Sequence, residues 1–161
     1  EVKKYIPNVM YLIIGDGPNL ISEKIKATDR NLNESIYFSG QVSQSERKFL
    51  MSKSNIYVSM YAYSNLSNTF LEAISIGLPT LIIPNGSTKV LAKEGINCLF
   101  IQEDNASQNL VEKIKYLHDN VEKREELARS SKIDAKSKLM SWDERSEIEL
   151  NILKDIANKP N

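Results

Sequence analysis

With 161 residues, 41% of them hydrophobic and 26% charged, the chain has the size and mix of one globular domain able to bury a core. Its 21 basic and 21 acidic residues cancel, so nothing supports non-specific nucleic-acid binding, which needs a basic surface to displace counterions. One cysteine, Cys98, excludes an internal disulfide and fits a reducing cytosol. No apolar run approaches the ~20 residues that span a bilayer, and the N-terminus lacks a signal-peptide core, so the expected location is cytoplasmic.

Short apolar runs alternate with amphipathic stretches, the pattern of an α/β domain with a parallel sheet. The first run, Val9 to Ile14, is hydrophobic enough for a strand covered on both faces, and Gly15-Asp16-Gly17-Pro18 stops it. Pro18 suits the first position of a helix over about Asn19 to Arg30, with Leu20, Ile21 and Ile25 on one side. Ile36 to Phe38 reads as a second strand. Ser43 with Glu46 three residues on reads as a capping box opening a helix that ends near Ser52. Asn55 to Ser59 is a third strand, followed by a polar loop from Tyr61 to Ser67 and a helix from about Asn68 to Ile76, closed by Gly77 and Pro79. Thr80–Ile83 and Cys98–Ile101 are strands four and five, with a short helix near Ser87 to Lys93 between them. From Ala106 the pattern is helical to the end in three segments. The stretch from Val121 to Lys138 reads as a solvated helix whose Glu122, Arg124, Glu125 and Arg129 form ion pairs. The last segment opens at Ser141-Trp142 and carries Ile148, Ile152, Leu153 and Ile156 as an apolar stripe.

The expected fold is therefore a Rossmann-like three-layer α/β/α domain over residues 1–161, with a mainly parallel sheet and a helical tail over 106–161. The opening residues read as the end of a helix placed directly before a strand. A doubly wound domain starts with a strand in mid-sheet, so the first strand reads as missing, leaving either a gap or a changed strand order.

The segment Ser64-Asn65-Leu66-Ser67-Asn68-Thr69-Phe70-Leu71-Glu72-Ala73-Ile74-Ser75-Ile76-Gly77-Leu78-Pro79 resembles the donor-site signature of retaining GT-B glycosyltransferases of the group 1, family 4-like kind. Gly15-Asp16-Gly17-Pro18, Phe38-Ser39-Gly40-Gln41-Val42 and Ser141-Trp142-Asp143-Glu144 fall in the same family order, so the resemblance covers nearly the whole chain. It implies the C-terminal, donor-binding domain of a two-domain enzyme that transfers a hexosyl group with retention. The implied ligand is a nucleotide-sugar, UDP-linked, with no obligatory metal or other cofactor. Glu72 would hold the ribose, and Ser67, Asn68 and Thr69 the phosphates at a helix N-terminus, where free N–H groups and the dipole favour anions. Gly40, Gln41 and Val42 would lie beside the base. Ser64 and Asn65 fall at the sugar end of the signature, where relatives carry an acid; here that position is Ser64, with Asn65 next to it. Gly17 lies in the first strand–helix turn. The resemblance also implies an acceptor-binding N-terminal domain as partner, admits peripheral attachment of the intact enzyme to a membrane, and leaves this segment inactive alone. An exposed sheet edge would invite pairing with a second copy.

Plainer readings stand beside these. Thr69-x-x-Glu72 fits a capping box, and Gly15-x-Gly17 without a third glycine fits a tight turn as well as a ligand contact. His118 belongs to a helix C-terminus, Cys98 to the core, Trp142 to packing, and Tyr57 to its strand. Tyr61 and Tyr63 either line a sugar pocket or anchor their loop. The sequence assigns no catalytic residue. A non-catalytic α/β module that binds a nucleotide or a protein is the rival from another class.

Overall fold

The computed structural model describes residues 1–61 and 67–158. In chain order it runs α1 (Val2–Tyr5), β1 (Tyr11–Ile14), α2 (Leu20–Asp29), β2 (Ile36–Gly40), α3 (Gln44–Lys53), β3 (Tyr57–Ser59), α4 (Asn68–Ile76), β4 (Thr80–Ile82), α5 (Thr88–Leu91), β5 (Leu99–Phe100), a 3-10 turn (Glu103–Asn105), α6 (Ala106–Asp119), α7 (Val121–Lys138) and α8 (Trp142–Ala157). Each strand pairs in parallel with a strand next to it in the chain, as short βαβ units require. Among the described residues the strands form two ladders, β1-β2 and β3-β4-β5.

The second ladder is covered on both faces, and its side chains alternate between them. Ile82 and Cys98 turn to one face, where they meet Phe70 and Ile74 of α4 and Ala135 of α7. Leu81, Ile83, Leu99 and Ile101 turn to the other, against Leu117 of α6 and Leu127 of α7. A smaller cluster of Met51, Ala73 and Leu78 joins α3 to α4, with Tyr57 of β3 packed against it. Gly77 closes α4 in the left-handed region at φ 76°, and Leu78 N–H returns to the Ala73 carbonyl at 2.9 Å.

Four expectations need correction. Ile21 and Ile25 point outward from α2, which buries only Ala27, because the two-stranded ladder offers it little to cover. Pro18 lies two residues before α2, in the turn leading to Asn19. In α7 one face is solvated, but Leu127, Ser131 and Ala135, four apart, form a narrow buried stripe that packs on α4 and α6. Its ion pairs are Glu125–Arg129, Lys123–Glu126 and Asp134–Lys138, with Lys93 also on Asp134, while Arg124 donates to the Leu117 carbonyl. Trp142 is no packing anchor: it is 79% exposed and stacks only under Arg145, 5.5 Å from its ring. α8 buries no residue, and Ile148, Ile152, Leu153 and Ile156 lie open along it. No helix among the described residues is long and apolar enough to cross a membrane.

Candidate functional site

In an open α/β sheet, ligands collect outside the carboxyl ends of the strands, and the site grows from there. β1 ends at Ile14, just before Gly15, and β2 at Gly40. Gly15 N–H donates to the Gly40 carbonyl at 2.9 Å, so the two turns lie side by side. Both residues have positive φ, 133° and 67°, and a Cβ at either would meet open space. The backbone there is therefore bare to whatever approaches. Gly17 is exposed beyond them and donates to its neighbour Asp16 Oδ1 at 2.7 Å, the geometry of a plain turn.

Gln41 is exposed and Val42 half-buried, and α3 starts immediately after. The capping box read in the sequence is present: Ser43 N–H donates to Glu46 Oε2 at 2.8 Å, and Glu46 N–H to Ser43 Oγ at 3.2 Å. It holds the Glu46 carboxyl below the usual carboxylate range, through hydrogen bonds from the Ser43 hydroxyl and backbone. The first turn of α3 is thus fixed to the Gly40–Val42 loop.

On the other ladder, α4 begins at Ser67. Its hydroxyl caps the helix, accepting from Phe70 N–H at 3.4 Å, and shares a 2.8 Å hydrogen bond with Thr69 Oγ1. Thr69 in turn bonds the Tyr57 hydroxyl at 2.8 Å. Asn68 is exposed at the helix start. Ser64, Asn65 and Tyr63 lie outside the described residues. Tyr61 is exposed, and its carbonyl accepts from Asn85 Nδ2.

Glu72 does not cap α4: the N-cap is Ser67, so the Thr69–Glu72 capping box is overturned. Its carboxylate instead receives both arms of the Arg47 guanidinium, Nε to Oε2 at 3.0 Å and Nη2 to Oε1 at 2.7 Å. The pair is mostly shielded, with side chains 31% and 22% exposed for Arg47 and Glu72. The hydrogen bond to Glu72 also raises the Arg47 pKa further, so the guanidinium stays charged. Arg47 was not a candidate from the sequence. The capping box at Ser43 placed it one turn into a helix, but only the packing of α3 on α4 brings it to Glu72.

Gly40, Gln41 and Val42 are thereby linked through α3 to Glu72, and through α4 to Ser67, Asn68 and Thr69. A cavity of about 410 Å³ lies elsewhere, at the ends of β4 and β5, lined by Ile83, Pro84, Phe100, Gln102, Glu94 and Lys113. It includes none of the residues expected to bind a donor. Among the described residues no cluster of acids, histidine and cysteine has a metal-binding arrangement. His118 is exposed in the last turn of α6 with its ring edge against Tyr5. Cys98 is fully buried, and that burial pushes its thiol up to about 12, so it is inert core.

Residues 1–134 match the family described as glycosyl transferases group 1, and the chain belongs to that family. Its fold is that of the C-terminal domain of a group 1 glycosyl transferase, LpcC of Francisella tularensis: TM-score 0.75 at 18% identity, over 85% of this chain and 73% of that one. The pneumococcal O-GlcNAc transferase GtfA, solved with UDP and GlcNAc, superposes at TM-score 0.83 with 19% identity, covering 98% of this chain and 31% of that one. The Vi polysaccharide biosynthesis protein VipC/TviE of Salmonella typhi is 26% identical over 110 residues, 68% of this chain. The chain spans only 18% of that relative's length.

Proposed function

We propose that this chain binds the nucleotide diphosphate of a UDP-linked sugar and is the donor-binding part of a retaining glycosyltransferase that moves a hexosyl group onto a glycan or similar acceptor. The observation that carries the reading is the link from the bare Gly40–Val42 turn, through α3, to the Glu72 carboxylate in the second turn of α4. A nucleotide laid across the strand ends would set its base against Gly40, Gln41 and Val42. Its ribose diol would reach Glu72, and its diphosphate the N-terminal turn at Ser67, Asn68 and Thr69. There the dipole of α4 and its backbone N–H groups favour the charge that grows on the departing diphosphate. Asn68 is exposed for this, whereas the Ser67 and Thr69 hydroxyls bond each other and act mainly by holding the turn in shape. Ser64 and Asn65 would lie towards the sugar, and Gly17 at the mouth of the first turn. The acceptor would be bound by an N-terminal domain of the intact enzyme. The solved relative GtfA, whose structure holds UDP and GlcNAc, supports the choice of UDP.

The test is a titration of the full-length protein with UDP, with GDP and ADP in parallel. UDP is expected to bind and Glu72→Ala to weaken it about tenfold, the worth of a hydrogen-bonded charged acceptor. Absence of UDP binding, or equal binding of UDP by Glu72→Ala, overturns the assignment.

A further inference from the structure

The site just proposed, on which this reading rests, draws on two elements. The base would lie on the Gly40–Val42 turn ahead of α3, and the ribose and diphosphate on α4, at Glu72 and at Ser67 to Thr69. A ligand that spans two elements gains from both at once only when their spacing is held, because binding at one then raises the effective concentration at the other. What holds α3 to α4 therefore sets how much the base adds to affinity. No residue before Met51 belongs to any of the three core clusters among the described residues. The apolar contact between the helices is thus Met51, two turns into α3, and the first turn beside the base loop stands outside the core. There Arg47 makes the one polar contact from α3 to α4 among the described residues, donating from Nε to Glu72 Oε2 at 3.0 Å and from Nη2 to Oε1 at 2.7 Å. We infer that Arg47 is a positioning residue: its two-point hold on Glu72 fixes the first turn of α3, and the base loop ahead of it, at a set distance from α4.

The connection is continuous from loop to helix. Arg47 N–H donates to the Ser43 carbonyl at 2.9 Å, and the Ser43–Glu46 box fastens that turn directly after Val42. On the far side Glu72 stands in the second turn of α4, whose first turn is capped by Ser67. Both members of the pair are mostly shielded, so salt screens it little. Without the fork, α3 would keep its Met51 contact and swing about it, and the swing would be largest at the N-terminal end. That motion carries the Gly40–Val42 loop relative to α4 and leaves the core clusters whole. A lysine at position 47 would keep the charge but make a single-point contact, which sets no orientation between the helices.

The experiment compares UDP with ribose 5-diphosphate, which is UDP without its base, on the full-length protein and on Arg47→Lys and Arg47→Ala. Calorimetry or NMR titration gives the affinities, and melting temperatures are recorded for each protein. The ratio of the two affinities measures what the base adds. In the unaltered protein it should be at least about tenfold, the worth of one or two hydrogen bonds to the base. Both variants should reduce it to about threefold or less while the protein stays folded. An unchanged ratio overturns the inference. Equal weakening of both ligands is such a result, since Arg47 would then act through the phosphates or the fold at large. If UDP binding is still lost in Glu72→Ala while the Arg47 variants keep the ratio, the proposed function stands and this inference alone falls. A ratio near one in the unaltered protein removes the base from the Gly40–Val42 loop, and the inference with it.

Discussion

Asp134 shows how a single side chain can fasten a loop. It is only 12% exposed, and burial alone would raise its pKa. Hydrogen bonds from Lys138, Asn97 and Lys93 outweigh that burial and hold the carboxyl below the usual aspartate value. Asn97, wholly buried, is satisfied on every side: its amide donates to the Leu91 carbonyl at 2.7 Å and to Asp134 at 2.9 Å, while its oxygen accepts from Lys93 N–H at 2.7 Å. A carboxylate with a depressed pKa contributes stability above its unfolded pKa, near 3.9, and that contribution fades as pH falls through the folded value. Asp134→Asn should therefore lower the unfolding free energy by about 1–3 kcal/mol at pH 7. The gap from the unaltered protein should close below about pH 4. Urea titrations at pH 7, 5 and 3 measure both; a gap that stayed constant with pH would show that the charge plays no part.

Among the elements, α4 was the most legible from sequence, and its end shows why. Polar small residues start it, an apolar stripe fills it, and Gly77 stops it, all within one local stretch. At Gly77 two requirements coincide: φ is 76°, and a Cβ would sit 2.8 Å from the Ala128 carbonyl oxygen of α7. Gly77→Ala should thus cost more than about 1 kcal/mol, since the left-handed backbone alone accounts for that much and the close approach of α7 adds to it. Thermal and urea unfolding would read the loss, and an unchanged midpoint would mean that α4 and α7 can separate without cost. The helices misread from sequence share one cause. In α7 the buried stripe is made of Leu127, Ser131 and Ala135, small residues lost among charges. In α2 and α8 the stripes are strongly apolar yet open to solvent. Periodicity shows which face a helix would bury, but what stands opposite is a tertiary fact. The same limit hid Arg47: it and Glu72 lie on helices that follow different strands, and no local pattern pairs them. Glu72 itself was legible only through the motif around it, and its local capping signal pointed the wrong way.

At the scale of the molecule, burial is unevenly shared. Among the described residues, every large side chain with less than 2% exposure lies between Phe70 and Ser131, whereas the first 50 residues bury only Ala27 and Ser35. Local opening is cheapest where apolar contacts are fewest. Native-state hydrogen exchange should therefore find β1, β2 and α2 opening well below the global unfolding free energy, with β4, α4 and α6 opening near it. Equal protection in both ladders would refute this division. Nothing in the sequence announced it, because Leu12, Ile13 and Ile14 are as apolar as Leu81, Ile82 and Ile83. The difference is that helices cover both faces of the second ladder.

That imbalance runs against the direction in which a ribosome makes the chain. The β1-β2 ladder is made before β3-β4-β5, with Tyr11 and Tyr37 exposed on it and Ile21 and Ile25 exposed on α2. Helices α6 and α7, which help bury the β3-β4-β5 ladder, follow it in the chain, and its two clusters are complete only at Leu127 and Ala135. At bacterial and eukaryotic synthesis rates the wait from β2 to that point is roughly 5–20 s. Slowing translation between residues 40 and 135 would lengthen that interval, in which the apolar strands stand without their helical cover, and so their exposure to aggregation.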